Sequence, residues 1–333
     1  MLKWLLIIFL IFIPTYAYSS DNDISRDNIR ILLIHSNSKE SLDTRLQRQG
    51  FINQIRRLDY NIIIRDIYLR SDIINIHDLN LPYVANQLPF MINRFSPDYI
   101  FISGDNALAW ILTTDVVDNY NILVSGNTCD YKFKNNIVFS PNIINLDRLY
   151  AFFNNVRYII AEWHLIWDGS AQSYCLLQNY KKEMNRFNSK YKIYEVSTVP
   201  DLRRVLRSMS DNLNTINVFF INRLYDPDID RRTGGYLSKY NIIYDVVEYS
   251  HRLELFLGSD YCEAGISLCY GSDYYDMGKL LGSYLVNIIS NDLEFTNKTL
   301  KPSVVLEVNR NRMFRLGLNR LLFDGLNYID KIY

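Results

Sequence analysis

Neither sign of charge is in surplus in this chain. Lys plus Arg and Asp plus Glu each number 36, so the formal net charge is zero. Nucleic acid and anionic membrane surfaces are recognised through a positive surplus, and none is present. Histidine is scarce, with only His35, His77, His164 and His251, and no two form a His-x-x-x-His metal pair. The Gly-x-Ser-x-Gly elbow of one large hydrolase class is missing. Neither a Walker A run nor a Gly-x-Gly-x-x-Gly follows the first strand, which disfavours nucleotide binding. His35 follows a strand, but an exposed or capping role is the simpler expectation. Four cysteines (Cys129, Cys175, Cys262, Cys269) show no metal-site spacing. A chain of this size does not depend on disulfide staples, so they are expected as free buried thiols, with Cys262–Cys269 the pair to test. Ile, Asn and Tyr stand where Val, Ala or Gly are commoner, as coding from an AT-rich genome would produce.

Long apolar runs are confined to the N-terminus. Met1–Ala17 reads MLKWLLIIFLIFIPTYA: one Lys, an apolar core from Trp4 to Ile13, then Pro14 and small or polar residues. That is the three-part pattern of a secretory signal peptide, too short in its core to span a bilayer comfortably. Residues 1–19 are assigned to it, with cleavage after Ala17 or after Ser19. No cysteine lies nearby to carry a lipid, so the mature protein is expected free in the periplasm.

A chain of 333 residues suits two domains. Asn28–Ile34, Asn61–Tyr68, Tyr99–Ile102 and Ile122–Val124 read as short apolar strands. Between them lie amphipathic helices marked by Phe51, Ile55 and Leu58 and by Leu88, Met91 and Ile92. This alternation is the mark of a doubly wound parallel sheet. After Asn136–Phe139 the pattern restarts with strands at Tyr158–Trp167, Tyr191–Glu195, Ile216–Ile221 and Leu253–Leu257. Tyr236–Val247 is expected to be mostly helical. Gly265–Cys269 reads as a strand, Tyr274–Ile289 as a strong helix, and Ser303–Glu307 with Arg310–Leu316 as a last strand–helix pair. Two α/β lobes follow, with no low-complexity linker between them, which points to a close-set hinge. Lobe one is expected over 25–136 plus 265–291, and lobe two over 137–260 plus 302–333.

Four blocks carry a resemblance: GFINQIRRLDYNI (Gly50–Ile62), FSPDYIFISGDNALAWIL (Phe95–Leu112), EAGISLCYGSDYYDMGKLLGSYL (Glu263–Leu285) and PSVVLEVNRNRMFRLGL (Pro302–Leu318). In this order the chain resembles the ABC-transporter substrate-binding proteins of the type 1 periplasmic-binding fold. The resemblance implies two lobes joined by three hinge strands with one small ligand between them. It also implies delivery to a membrane permease with its ATPase, aromatic amino acids being among the family's known ligands. A ligand-binding module signalling to a separate membrane sensor is the alternative. No enzyme activity, cofactor, metal or nucleic-acid partner is expected, and the protein is expected to be a monomer.

If the lobes face each other, strand-exit loops line the cleft, because ligands of open α/β sheets sit at the carboxyl ends of the strands. Lobe one then contributes Ser36, Asn37, Ser38, Ser103, Asp105, Asn106, Ser125 and Asn127. Lobe two contributes Trp167, Asp168, Ser170, Asn222 and Tyr225. Asn106 is read as a helix cap. Asp105 is expected to accept hydrogen bonds from a ligand amine or hydroxyl, with helix-start amides holding any anionic group. Trp167 or Tyr225 is expected to stack on an apolar part of the ligand.

Overall fold

The computed structural model describes residues 28–72, 81–129, 131, 136–209, 214–229, 235–258 and 261–333. The signal-peptide segment and His77 lie outside the described residues.

The first lobe grows from runs that are apolar on both faces. β1 (Ile29–His35), α1 (Leu42–Ile55), β2 (Ile62–Tyr68), α2 (Leu81–Phe95), β3 (Tyr99–Ser103), α3 (Asp105–Ile111), α4 (Val116–Asn119), β4 (Asn121–Ser125) and β5 (Ile137–Ser140) alternate as the pattern predicts. Continuous burial of Ile31–Ile34, Ile100–Ile102 and Ile122–Val124 fits strands covered by helices on both sides.

The second lobe follows the same plan. It comprises α5 (Asp147–Asn155), β6 (Glu162–Trp167), α6 (Ala171–Arg186), β7 (Tyr191–Glu195), α7 (Val199–Ser208), β8 (Thr215–Phe220), β9 (Arg223–Tyr225), β10 (Tyr236–Ser238), α8 (Lys239–Tyr249), β11 (Leu253–Leu257) and β12 (Leu268–Ser272). The chain ends through α9 (Tyr274–Ser290), β13 (Lys298–Thr299), β14 (Val304–Val308), α10 (Arg310–Arg315), α11 (Asn319–Asp324) and β15 (Lys331–Ile332).

Among the described residues the first sheet runs β13-β5-β4-β3-β1-β2 and the second β15-β14-β12-β11-β8-β6-β7. All pairings in the first sheet are parallel. In the second, β14 runs antiparallel to β12. The order β2-β1-β3-β4-β5 in one sheet and β7-β6-β8-β11-β12 in the other is the doubly wound arrangement the alternation implied.

Two strands join the sheet opposite to the one expected. β5 pairs with β4 in the first sheet, and β12 pairs with β11 in the second. Local pattern shows that a strand exists but not which neighbour completes its ladder. The chain crosses between sheets after β5, between β12 and α9, and between β13 and β14.

What returns α9 to the first lobe is its backbone contact with α1. A Cβ at Gly278 would stand 1.9 Å from the Gln47 carbonyl oxygen, and one at Gly50 would stand 2.1 Å from that of Tyr275. Only glycine permits that approach.

The cysteines pair differently from the expectation. Cys129, in the loop after β4, is bonded to Cys175 on α6, whereas Cys262 and Cys269 are free and buried. A partner 46 residues away in the other lobe leaves no spacing signal in the sequence. The bond therefore ties the two lobes together beside the hinge. Asn179 Nδ2 donates to the Thr128 carbonyl at 3.0 Å along the same seam.

Candidate functional site

The carboxyl ends of β1, β3 and β4 face those of β6, β8 and β11 across a cleft, and two connected cavities fill it. The outer one measures about 850 Å³ and is walled by Asn37–Ser38, Glu40–Asp43, Arg70–Asp72 and Asn106 from the first lobe. Asp168–Gln172, Ser197, Asn222–Arg223, Tyr236, Ser238–Lys239, Asn241 and Tyr261 wall it from the second. The inner chamber, about 60 Å³, reaches toward the hinge. It is lined by Asn37, Asp43, Gln47, Ser103, Gly104 and Gly126 on one side and by Gln172, Leu176, Phe219–Asn222, Lys239, Leu257, Gly258, Tyr270 and Gly271 on the other. The crossing residues Asn142–Ile144, Ser272 and Tyr274 close its back. Asn37, Asp43, Gln172, Asn222 and Lys239 line both cavities and form the waist between them.

Seven of the residues expected at the site line these cavities: Asn37, Ser38, Ser103, Asn106, Asp168, Ser170 and Asn222. Several are already engaged with the protein. Ser38 donates both its amide and its hydroxyl to the Asp72 carboxylate, at 2.8 and 2.7 Å. Burial pushes the Asp72 pKa up, against the lowering effect of those bonds. Asp168 accepts from the Ser170 hydroxyl at 2.6 Å and from the Asn222 amide at 2.7 Å, so it pins two exit loops of the second sheet. The Ser170 hydroxyl in turn caps α6 by accepting from the Ser173 amide.

The other six line neither cavity. Ser36 accepts from the Ala107 amide at 2.9 Å, taking the capping role expected of Asn106. α3 begins at Asp105 behind Gly104, whose φ of 88° only glycine adopts without strain. Asn106 instead donates to Ser71 Oγ.

Asp105 is 3% exposed and turned into the protein, accepting from the amides of Thr128 at 2.9 Å and Cys129 at 3.2 Å. Burial raises its pKa to about 6, although those amide bonds pull the other way. A turn-forming aspartate and a ligand-binding one look alike in sequence; here it fixes the Cys129 loop. Ser125 Oγ and Asn127 Oδ1 are buried without hydrogen-bond partners among the described residues. Trp167 packs near Tyr174, their ring centroids 6.0 Å apart, and Tyr225 stands edge-on to Tyr236 at 5.6 Å.

His35 is buried rather than exposed or capping. Its Nε2 lies 3.1 Å from Asp66, which also takes two hydrogen bonds from Arg48 at 2.7 and 2.9 Å. Burial lowers the His35 pKa against the opposing pull of Asp66. For Asp66, burial alone acts upward, yet the bonds from His35 and Arg48 outweigh it and hold the carboxyl well below its usual range. This group supports the end of the sheet and lies off the cavity walls.

The waist residues Asp43, Gln172 and Lys239 were not anticipated. All three sit in the first turn of a helix, α1, α6 or α8, beyond the loops read as cleft-lining, Lys239 only after the β9–β10 hairpin. Reading the first helical turn as well as the loop would have found them. Burial brings the Lys239 pKa down to about 8, with Asp43 the largest charge opposing the shift.

No protein-family model matches the sequence, and no curated protein sequence does either. Solved structures do match. A conserved domain protein from Vibrio cholerae superposes with a TM-score of 0.65 at 13% identity, over 92% of this chain and all of that one. An ABC domain from Streptococcus pneumonia in complex with L-Trp gives 0.64 at 10% identity, again over 92% of this chain and 100% of that one. The ligand-free, open form of a substrate-binding protein with adhesive properties from Clostridium difficile gives 0.60 at 13%, over 87% and 95%. With its two doubly wound sheets and the cleft between them, the chain has the type 1 periplasmic-binding-protein-like fold.

Proposed function

We propose that this protein is an extracytoplasmic solute-binding protein of an ABC importer. It captures a small polar solute, an amino acid or a similar compound, between its lobes and delivers it as a monomer to a membrane permease. The observation that carries this reading is the pair of adjoining cavities walled by both sheets, with five polar side chains, drawn from both lobes, lining both of them. Two sheets joined by three crossing segments form a hinge, and a ligand that touches both lobes favours the closed state by its differential affinity. L-Trp is bound to one of the structural neighbours, and another is a substrate-binding protein. No described helix is long and apolar enough to cross a membrane. The leader sequence supports export, and so does the Cys129–Cys175 bond, since disulfides persist in oxidising compartments.

The test is a thermal-shift screen of the purified mature protein against amino acids, sugars, purines and short peptides. A ligand at about 100 times its Kd adds about 2.7 kcal/mol to stability by mass action, which is a shift of a few degrees for a chain of this size. At least one solute is expected to produce it. A flat response across all four classes overturns the proposal.

A further inference from the structure

Asp43 and Lys239 are the only charged side chains lining the inner chamber among the described residues, and they come from opposite lobes. Lys239 opens α8 and reaches inward, so that Nζ donates to the Leu257 carbonyl at 2.6 Å. The ammonium lies 4.2 Å from the centre of the Tyr261 ring and 5.7 Å from that of Phe256. An ammonium has three protons to donate, and the Leu257 carbonyl takes one. No carboxylate stands within ion-pair distance of it among the described residues; Asp43 acts on it only from across the waist. Asp43 is held in place by Asn37 Nδ2 at 3.1 Å, the Thr44 amide at 2.7 Å and the Ser41 hydroxyl. Enclosing a cation without a contacting anion is costly. An incoming anion that completes the pair therefore gains more here than at an exposed site.

Resting on the solute-binding reading above, we propose that Lys239 is the specificity-determining residue of the cleft. It pairs with a carboxylate, or a comparable monoanionic group, on a solute whose ammonium end meets Asp43. The apolar remainder of the solute enters the chamber between Ile143, Ile144, Leu176 and Phe219. Lys239 thus reads the anion from lobe two while Asp43 reads the cation from lobe one, and a zwitterion is the ligand class that satisfies both in one closed state.

The experiment compares matched probes by calorimetric titration: L-amino acids, their carboxamides and their decarboxylated amines, with glucose and adenine as uncharged controls. A charge-assisted hydrogen bond in a desolvated site corresponds to about 10- to 100-fold in affinity. Wild type is expected to prefer at least one amino acid over its own amide and amine by that factor. Lys239→Gln should bring the ratio near unity, and Lys239→Arg should keep most of it. The wild-type ratio needs no variant, so a poorly folding Lys239→Gln does not remove the test.

A pH series adds a readout that a purely structural lysine would not move. Asp43, Asp168, Cys269 and Tyr261 face this ammonium, with Asp72, Arg223 and Tyr274 elsewhere on the cavity walls. Affinity for the amino acid should fall between about pH 8 and 9 in wild type, where the ligand's own ammonium is still protonated, and not over that range in Lys239→Arg. Equal binding of acid and amide overturns the Lys239 proposal. Binding of glucose or adenine without any amino acid overturns it too, while leaving the cleft reading intact. Failure of every probe overturns the Lys239 proposal, and together with a flat thermal-shift screen it overturns the cleft reading as well.

Discussion

The two walls of the cleft use the same kinds of residue to different ends. On the first lobe, serines and aspartates at the strand ends are mostly turned inward. Ser36 caps α3, Asp105 holds the Cys129 loop, and Ser38 is bound to Asp72. On the second lobe, Asp168 and Ser170 brace the exit loops, but Lys239 and Gln172 reach the waist with bonding capacity left over. The Gln172 side chain makes no hydrogen bond among the described residues. Polar character at a strand end is therefore weak evidence of ligand contact. The loops must satisfy their own amides first, and a side chain is free for a ligand only when a helix start places it beyond that network.

The strongest test of this contrast cuts the link between the walls. Cys129→Ser with Cys175→Ser opens a loop of 46 residues, for which chain-entropy arguments give about 4 kcal/mol of lost stability. The double variant should unfold at lower denaturant concentration. It should also exchange ligand faster, because the lobes are no longer tied beside the hinge. Unchanged ligand dissociation in stopped-flow measurements means that the bond does not restrain opening.

Next comes the pH dependence of Asp105. Its folded pKa of about 6 lies above the ordinary 3.8, so the native state holds the proton more tightly than the unfolded chain. The stability from this group is present in full below about pH 4 and is lost as pH rises through 6, an effect of about 3 kcal/mol. Asp66 acts in the opposite direction at lower pH, its folded pKa being depressed. The Asp105 contribution must therefore be read as the difference between wild type and Asp105→Asn. Urea titrations from pH 4 to 7 should show that difference shrinking toward low pH, and parallel curves refute it.

Asp105→Ala is a smaller effect. It leaves the Thr128 and Cys129 amides unpaired at about 1–3 kcal/mol each, partly offset by removal of a buried charge. A net loss of about 2 kcal/mol in the apo protein is expected, with ligand affinity nearly unchanged. Large loss of affinity at unchanged stability would restore Asp105 to the ligand site and break the contrast between the walls.

Gln172→Ala should do the reverse. Its apo stability should stay within about 0.5 kcal/mol of wild type, while affinity for the best screened solute falls about fivefold. Paired calorimetry and melting curves on both alanine variants read the contrast directly.

Much of the fold was legible because it is written locally. Apolar runs bounded by turn residues placed β1, β2, β3, β4 and β11 within a residue or two, since burial on both faces demands such runs. The exit of β3 was recognised as a turn, and Asn37, Ser38, Ser103, Asn106, Asp168, Ser170 and Asn222, sought at strand ends, line the cavities. What stayed hidden is nonlocal. The ladder partners of β5 and β12, the Cys129–Cys175 bond and the inward turn of Asp105 each depend on residues tens of positions away.

The sequence by itself determined the alternation of strand and helix, the doubling of that pattern and the charge balance, because period and composition express burial directly. Only the tertiary structure decided which sheet each strand joined, which polar side chains were consumed in holding loops, and that Asp43 and Lys239 face one another. Those outcomes are set by distances between segments far apart in the chain, which no local pattern of residues expresses.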